Sequence, residues 1–288
     1  MPALFFAILS EAKPWIQKTN AKPISHSGKF RIYQKDSMYI TITGPGKIPM
    51  ALAVSEFAHL FGKEERKKMK VWNLGIAGSH IPNTKIGEYF WIHKIKDYNT
   101  GKDYYPERIL SSKIQKETIL TTFDNPIAKI KNENRFQVLT EQELQSISLV
   151  DMEGSAFFEA ASLYFPLENI AIGKVISDFL EATFCQQETV QTLIENVLDP
   201  LYQEWIEPLP WSTDDLFETK FWPELETKIS NLRLTETMKH DLKKSLRFFY
   251  LRYPNSNIPL PNLETIPNIK SKQDLKLYIQ NWKNQLHV

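Results

Sequence analysis

The stretch SLVDMEGSAFFEAASLY, residues 148–164, predicts a strand that turns directly into a helix. Ser148 to Met152 is a short apolar run, and the apolar spacing of Ser155 to Tyr164 indicates a helix. Two carboxylates, Asp151 and Glu153, lie where the predicted strand ends. Loops at the carboxyl ends of strands form the ligand crevice of open α/β sheets, so we expect the chemistry of this protein at such ends.

The same alternation of strands and helices continues on both sides of this stretch. Apolar spacing predicts further helices at Pro49 to Phe61 and Glu188 to Trp205. Short β-type runs mark the predicted strands Leu4 to Leu9, Phe30 to Tyr33, Met38 to Thr43, Val71 to Ile76, Tyr89 to Ile95, Thr118 to Thr122 and Ile170 to Ile176. Strands that alternate with helices imply an α/β fold with a mostly parallel central sheet covered by helices.

Proline interrupts the chain repeatedly in its last third. The segment EPLPWS, residues 207–212, predicts a stiff linker, because proline fixes the backbone and favours extended conformations. We therefore place the first domain at residues 1–206 and a helical extension at residues 213–288. Within the extension, one apolar face predicts a helix from Thr235 to Arg252, whose first residue is its N-cap, and a last helix is predicted from Lys272 to Gln285.

Composition and charge narrow the classes of function. The 288 residues are 42% hydrophobic, and 35 basic residues nearly balance 34 acidic ones. Such a chain has enough apolar residues for a sizeable core and lacks the net positive charge of a dedicated nucleic-acid or membrane-surface binder. The apolar run Ala3 to Leu9 follows no positive segment and is interpreted as a strand rather than a secretion signal. No apolar run reaches the ~20 residues of a membrane span.

The cysteine content indicates the redox environment of the protein. The single cysteine, Cys185, cannot form an internal disulfide and offers no repeated metal-ligand spacing. This pattern fits a reducing compartment, so we expect a cytoplasmic protein. We expect no metal ion and no cofactor, and neither a nucleic acid nor a membrane as the partner.

Five strand ends carry the residues that catalysis needs. Glu11 follows the first predicted strand, and Glu153 and Asp178 follow two later ones. The turn Thr43 to Lys47, TGPGK, exposes backbone amides that can hold an anion or a water, and Asn73 to Ser79, NLGIAGS, ends a strand in small residues. Each feature alone also fits a structural role such as a helix cap. Several acids that converge on one crevice indicate a catalytic site instead.

Four segments, in this order, resemble one known superfamily. They are NLGIAGS (residues 73–79), IGEYFWIHKIKD (86–97), DMEGSAFFEAA (151–161) and VISD (175–178). Together they are similar to the superfamily of nucleoside phosphorylases and nucleosidases, which contains methylthioadenosine/S-adenosylhomocysteine nucleosidase and futalosine hydrolase. The resemblance runs from about residue 3 to residue 206. It implies a three-layer α/β fold of that type, a small-molecule nucleoside as ligand, and assembly as a homodimer or higher homo-oligomer.

The resemblance also implies a role for each acid. Asp178 matches the aspartate that donates a proton toward N7 of the purine, Glu11 matches the acid that activates the attacking water, and Glu153 matches the glutamate that binds the ribose hydroxyls. The chemistry independently favours such a set, because an oxocarbenium-like transition state gains from protonation of the leaving group and from an aligned nucleophile. Further contacts to the nucleoside are expected from Gly44, Ile76, Ala77, Gly78, Met152 and Ser177.

Three activities are compatible with this pattern. Hydrolysis is favoured over phosphorolysis, because a phosphorylase needs arginines around the phosphate and the position before the glycine loop reads VWN, residues 71–73. Lys47, or Arg31 lent by a neighbouring subunit, is the alternative phosphate ligand, whereas Glu11 would repel phosphate. In the methylthioadenosine-type nucleosidases that this sequence resembles, a serine occupies the position of Ile76. Together with the extension, this change leaves a third alternative, a catalytically silent sensor that binds a nucleoside.

Overall fold

The computed structural model describes most of the first 206 residues and parts of the chain beyond them. The described ranges are 1–26, 28–106, 116–129, 136–181, 185–206, 221–229 and 234–240, with positions 242, 243, 246, 274 and 281. The predicted linker lies outside these residues, as does the last predicted helix except for positions 274 and 281. The chain divides into two units, Met1–Glu207 and Pro208–Val288, and the domain and linker boundaries proposed above remain predictions.

A mixed sheet runs through the first unit. Its strands are β1 (Pro2–Phe6), β2 (Lys22–Pro23), β3 (Arg31–Lys35), β4 (Met38–Ile42), β5 (Lys70–Ser79), β6 (Tyr89–Asp97), β7 (Asp103–Tyr104), β8 (Glu117–Thr122), β11 (Leu149–Asp151) and β12 (Ile170–Asp178), while β9 (Ile127–Ala128) and β10 (Gln137–Val138) form a separate pair. The order across the sheet is β11-β8-β6-β12-β5-β1-β4-β3-β2, with β7 beside β6. The central strands β4, β1, β5 and β12 are parallel, so their carboxyl ends meet at one edge.

Helices cover both faces of this sheet. They are α1 (Leu9–Thr19), α2 (Lys47–Ala58), α3 (Lys63–Arg66), α4 (Glu141–Gln145), α5 (Gly154–Ser162) and α6 (Gln187–Ile206). α1 and α6 pack together in the core on one face, and α2 and α5 pack together in the core on the other. This arrangement confirms the predicted α/β fold with a central sheet between two layers of helices.

Strand β1 shows why the sequence produces these layers. Leu4 and Phe6 point to one face and pack in the same core as Trp15 of α1, while Phe5 points to the other face and packs against Phe157 of α5. All five side chains are fully buried. Because both faces of the strand are covered, its sequence is apolar throughout instead of alternating with polar residues. Burying one such large side chain contributes about 1.5 to 3 kcal/mol.

Two irregular pairings bring distant segments to the end of β5. The last residues of β5 pair antiparallel with β11, Ser79 opposite Leu149 and Gly78 opposite Val150, in addition to the parallel pairing with β12. The register of β12 shifts between Ile176 and Asp178, so that Asp178 lies opposite Gly78. A shift of this kind re-aims the side chains that follow it. The segments DMEG and VISD therefore both lie beside the end of NLGIAGS.

The described residues of the second unit are mostly helical. Helix α7 (Trp222–Ile229) buries Trp222, Leu225 and Ile229, which share one face of the helix. Residues 236–240 are also helical, and Oγ1 of Thr235 accepts a hydrogen bond from the backbone N–H of Met238 at 3.3 Å, which confirms the predicted N-cap. Across both units, the described residues include no helix that is long and apolar enough to cross a bilayer.

Candidate active site

Glu11 lies in the first turn of α1 and joins that helix to strand β5. The sequence placed it beyond a strand that runs to Leu9, but the helix begins at Leu9 and the strand ends earlier. Its Oε2 accepts a hydrogen bond from Ile8 N–H at 3.1 Å and its Oε1 accepts one from Ile76 N–H at 2.9 Å. Only 3% of the residue is exposed. A Cβ atom at Gly75 would lie 2.5 Å from Oε1 of Glu11, so β5 needs a glycine there.

Glu153 is held by the glycine turn that precedes α2. Its Oε1 accepts a hydrogen bond from Gly46 N–H at 2.7 Å, and the residue is buried. Gly44 and Gly46 both have positive φ angles, of 86° and 98°, which glycine adopts without strain. The Gly44 N–H donates to the carbonyl of Ala7 at 3.0 Å. The expectation that this turn offers its amides to an anion or a water is therefore wrong for these two glycines, whose amides are engaged within the fold.

A buried lysine lies among the acids. Lys174, in the middle of β12, has only 2% of its side chain exposed, and its Nζ lies 2.9 Å from Oδ2 of Asp151, whose side chain is 1% exposed. Asp151 also accepts hydrogen bonds from Thr122 Oγ1 and Gly154 N–H, both at 2.8 Å. Lys174 was not among the residues predicted from the sequence. The signal for it was a single cation inside the otherwise apolar run Ile170 to Ile176. A charged side chain is rarely buried in such a run unless a partner of opposite charge lies beside it.

Electrostatic interactions couple Lys174 to three buried carboxyl groups, those of Asp151, Glu153 and Glu11. Burial, followed by the charge of Asp151, raises the pKa of Glu153 to about 7, while Lys174 and the Gly46 N–H oppose that rise. Burial also raises the pKa of Glu11, again opposed by Lys174 and by backbone hydrogen bonds. The carboxylates in turn keep the pKa of Lys174 above its ordinary value although burial lowers it. With one cation for three carboxyl groups, the cluster favours retention of a proton by one of them.

Asp178 has a different environment at the end of β12. Its Oδ2 accepts a hydrogen bond from Ser177 Oγ at 2.6 Å, and its Oδ1 accepts one from Leu180 N–H at 2.9 Å. Leu180 adopts a left-handed backbone conformation with a φ of 63°, which is uncommon for a branched side chain. The Asp178 side chain lies against Gly78, where a Cβ atom would be 3.0 Å from Oδ1. Unlike Glu11 and Glu153, this acid is partly exposed.

Two of the three predicted site acids, Glu11 and Asp178, contact strand β5. Glu11 contacts β5 at Gly75 and Ile76, and Asp178 contacts it at Gly78, which is on the order of 10 Å further along the strand. Glu153 is linked to Glu11 by their mutual repulsion and by Lys174. The remaining expected contact residues lie nearby in sequence: Ala77, whose carbonyl faces Ser177 Oγ at 3.3 Å, and the half-buried Met152 between Asp151 and Glu153.

Lys47 and Arg31 are the two alternative phosphate ligands. Lys47 Nζ lies 2.8 Å from Oδ2 of Asp97 and 2.8 Å from Oδ1 of Asp124. Arg31 lies exposed on strand β3, between β4 and the short outermost strand β2. In the described part of the chain, no group of three or more histidine, cysteine or acidic side chains is arranged to hold a metal ion.

The topology of the first unit defines a class of fold. The first unit has the α/β fold of the nucleoside phosphorylase and nucleosidase superfamily, as the resemblance of its sequence implied. No family model and no curated protein matches the sequence.

Solved structures with this fold include nucleosidases from several bacteria. A Helicobacter pylori MTAN, an aspartate-to-asparagine mutant with 5'-methylthioadenosine in its active site, superposes with a TM-score of 0.54 at 14% identity, over 70% of this chain and 96% of that one. Futalosine hydrolase of the same organism has a TM-score of 0.51 at 15% identity, over 70% and 96%. The nucleosidase of Colwellia psychrerythraea in complex with adenine has a TM-score of 0.51 at 22% identity, over 70% and 95%.

Proposed function

We propose that this protein hydrolyses the N-glycosidic bond of a purine-type nucleoside and releases the free base and a ribosyl product. The observation that carries the proposal is the buried cluster of Glu11, Asp151, Glu153 and Lys174 beside strand β5, which Asp178 contacts further along, at Gly78. The structural neighbours that hold 5'-methylthioadenosine or adenine support a nucleoside as the class of ligand.

Asp178 is the proposed general acid. Protonation of the purine at N7 makes the base a better leaving group, and this step needs an acid within hydrogen-bond reach of the bound base. Asp178 is partly exposed, and Ser177 and Leu180 fix its carboxyl group through one hydrogen bond to each oxygen. The mutant neighbour with bound 5'-methylthioadenosine also carries its substitution at an aspartate.

Glu11 and Glu153 are proposed to act on the ribosyl side. Glu11 is the base that aligns and activates water, since the backbone amides of Ile8 and Ile76 fix its two oxygens in place. Glu153 is the acceptor for the ribose hydroxyls, since Gly46 fixes its Oε1 and leaves Oε2 for a ligand. Developing positive charge on the ribosyl ring in the transition state gains from these carboxylates.

Water is the favoured nucleophile for two electrostatic reasons. Lys47, the nearest candidate for phosphate, already pairs with Asp97 and Asp124. The cluster around Glu11 holds three acids for one lysine, and this surplus of negative charge disfavours a phosphate dianion.

The test is a panel of nucleosides, including 5'-thioadenosines and futalosine-like compounds, incubated with the purified protein with and without phosphate. We expect free ribosyl product without phosphate, and a loss of about 10²- to 10⁴-fold in kcat for Asp178→Asn. Asp36→Asn, at an exposed turn, is the matched control. Strict dependence on phosphate would establish a phosphorylase instead, and tight binding without turnover would establish a sensor. Undiminished turnover by Asp178→Asn would remove the assignment of the acid.

We also propose a homodimer built on the outer face of α2. Ile48 and Leu52, one turn apart on this helix, are 74% and 55% exposed, although Val54 and Phe57 fill the core on its inner face. A helix that is apolar all round is normally covered on both sides. We expect Leu52→Asp to yield monomers in sedimentation, while Val138→Asp, at another exposed apolar position, leaves the dimer intact. A monomeric wild-type protein would refute this assembly.

A cytoplasmic location likewise remains a prediction.

A further inference from the structure

We propose that Lys47 is a positioning residue for Glu153: its ion pair with Asp97 fixes the start of α2 so that the Gly46 amide stays on the Glu153 carboxylate. The proposal rests on the proposed function only where it concerns catalysis. The contacts themselves, and one of the two measurements below, do not depend on turnover.

Two bridges join the first turn of α2 to the first turn of α5. The first is the hydrogen bond of 2.7 Å from Gly46 N–H to Oε1 of Glu153. The second runs from Lys47 Nζ to Oδ2 of Asp97 at 2.8 Å, and from Ser155 Oγ to the same oxygen at 2.7 Å. Gly46 and Lys47 are adjacent in sequence, and Glu153 and Ser155 are two residues apart. Movement of one bridge therefore moves the other.

Asp97 is a rigid anchor for the second bridge. Its Oδ1 accepts hydrogen bonds from the backbone N–H and from Oγ1 of Thr100, both at 2.9 Å, and its side chain is 7% exposed. Although burial opposes ionisation, hydrogen bonds from Lys47, Ser155 and Thr100 lower the pKa of Asp97 to about 2. The carboxylate is thus charged at any pH at which the enzyme would work. Asp124, half-exposed, holds Lys47 from a second side at 2.8 Å.

The bond from the Gly44 N–H to the Ala7 carbonyl holds the beginning of the turn before α2, so the anchor that Lys47 supplies is needed at the Gly46 end of the turn. Gly44 and Gly46 both occupy the left-handed half of backbone space, and glycine restricts the backbone less than any other residue. Gly46 is the N-cap of α2 and has no side chain to bond the free amides of the helix. Lys47, the first residue of the helix, is the side chain through which the sheet can hold the turn.

Loss of this anchor is expected to change the titration of Glu153. The groups that face Glu153 are Asp151, Glu11, Lys174 and the Gly46 N–H. Of these, the Gly46 N–H stabilises the charged form and depends on the turn. When the turn moves away, the pKa of Glu153 rises, and we expect a shift of about one pH unit, equivalent to about 1.4 kcal/mol.

The first measurement follows the amide resonance of Gly46 by NMR as a function of pH. In the wild type we expect a transition near pH 7, because this amide donates to the carboxyl group that titrates there. Lys47→Met should raise the midpoint by about one unit, and Lys47→Arg, which keeps the charge, should restore it. Lys94→Met is the matched control, since Lys94 pairs with Asp103 at 2.8 Å elsewhere on β6.

The second measurement separates kcat from KM. At a pH above both Gly46 midpoints, Glu153 keeps its charge in either protein, and its displacement removes only hydrogen bonds to the ribose hydroxyls that substrate and transition state share. Under these conditions Lys47→Met should raise KM about tenfold with little change in kcat, and Lys47→Arg should reverse the effect. Should the wild type cleave no nucleoside, the proposed function fails while the Gly46 titration still tests the positioning.

An unchanged Gly46 midpoint in folded Lys47→Met would overturn the proposal. If Lys47→Met does not fold, Asp124→Asn removes only the exposed half of the anchor and should shift the midpoint in the same direction by a smaller amount. No shift in Asp124→Asn would then overturn the proposal in the same way.

Discussion

Replacement of Lys174 by methionine tests the charge balance of the cluster directly. The variant keeps the length and apolar stem of the side chain but removes the one cation among three carboxyl groups. Lys174 and Asp151 are nearly fully buried, with 2% and 1% of their side chains exposed, and their atoms lie 2.9 Å apart. Solvent therefore screens this pair far less than it screens a surface ion pair.

The magnitude follows from that geometry. At 2.9 Å and an effective dielectric constant of about 20, the gross attraction is roughly 6 kcal/mol, from which the desolvation of both ions must be subtracted. Removing one partner of such a buried pair costs about 3 to 5 kcal/mol. The first unit should remain folded, because domains have about 5 to 15 kcal/mol of stability, and its Tm should fall by roughly 6 to 20 °C.

The loss should depend on pH with a definite sign. Without Lys174 the pKa values of Glu11 and Glu153 rise further above the value of about 4.5 that applies in the unfolded chain. A carboxyl group whose pKa is raised by folding destabilises the fold above its unfolded pKa, and the penalty grows until pH passes the folded value. The difference in unfolding free energy between Lys174→Met and the wild type should therefore be larger at pH 8 than at pH 5.

Urea unfolding at these two pH values measures that difference, with Lys174→Arg as the control that keeps the charge. We expect the pH-dependent part of the loss to be absent from the arginine variant. A cost below about 1 kcal/mol for Lys174→Met, the usual range of a surface ion pair, would refute the view that Lys174 balances the acids. An equal loss at pH 5 and pH 8 would contradict the coupling to Glu11 and Glu153.

Two further predictions concern the neighbours of this cluster. Gly75→Ala puts a Cβ atom 2.5 Å from Oε1 of Glu11, so the carboxylate must move off β5 and turnover should fall by about 10²-fold or more in steady-state assays, whereas an unchanged rate would separate Glu11 from the chemistry. Asp97, with its pKa lowered to about 2, adds about 2 kcal/mol that is present above pH 4 and lost as pH falls toward 2. Thermal unfolding of Asp97→Asn should show that deficit at pH 7 and a smaller one at pH 2.

Local patterns were sufficient to predict the layers of the fold. The apolar runs at Leu4 and Val71 and the helical spacing after Ser155 reflect burial, which any fold must satisfy locally. The antiparallel pairing of β11 with the end of β5 was not predictable in this way, because it joins residues about seventy positions apart through backbone groups that every sequence possesses. The register shift before Asp178 has no local signature either.

The site was predictable in its acids and not in what holds them. Glu11, Glu153 and Asp178 follow strand ends, which the sequence reveals. The partner of the TGPGK turn was misjudged, because an amide that can hold an anion binds the nearest carboxylate, here Glu153 from more than a hundred residues away. Lys174 was overlooked because it lies inside an apolar strand, and only the three-dimensional neighbours of that strand reveal why a cation is tolerated there.

The surplus of acid in this cluster suits a reaction in which positive charge develops beside it. Three carboxyl groups around one buried lysine destabilise the folded protein at neutral pH, as the raised pKa values of Glu11 and Glu153 indicate. A neutral nucleoside brings no charge in its ground state, but its ribosyl ring becomes positive as the glycosidic bond breaks. Carboxylates held in place before the reaction stabilise that state more than the substrate, which is the condition for catalysis. On the proposed function, the same repulsion that weakens the fold thus lowers the barrier.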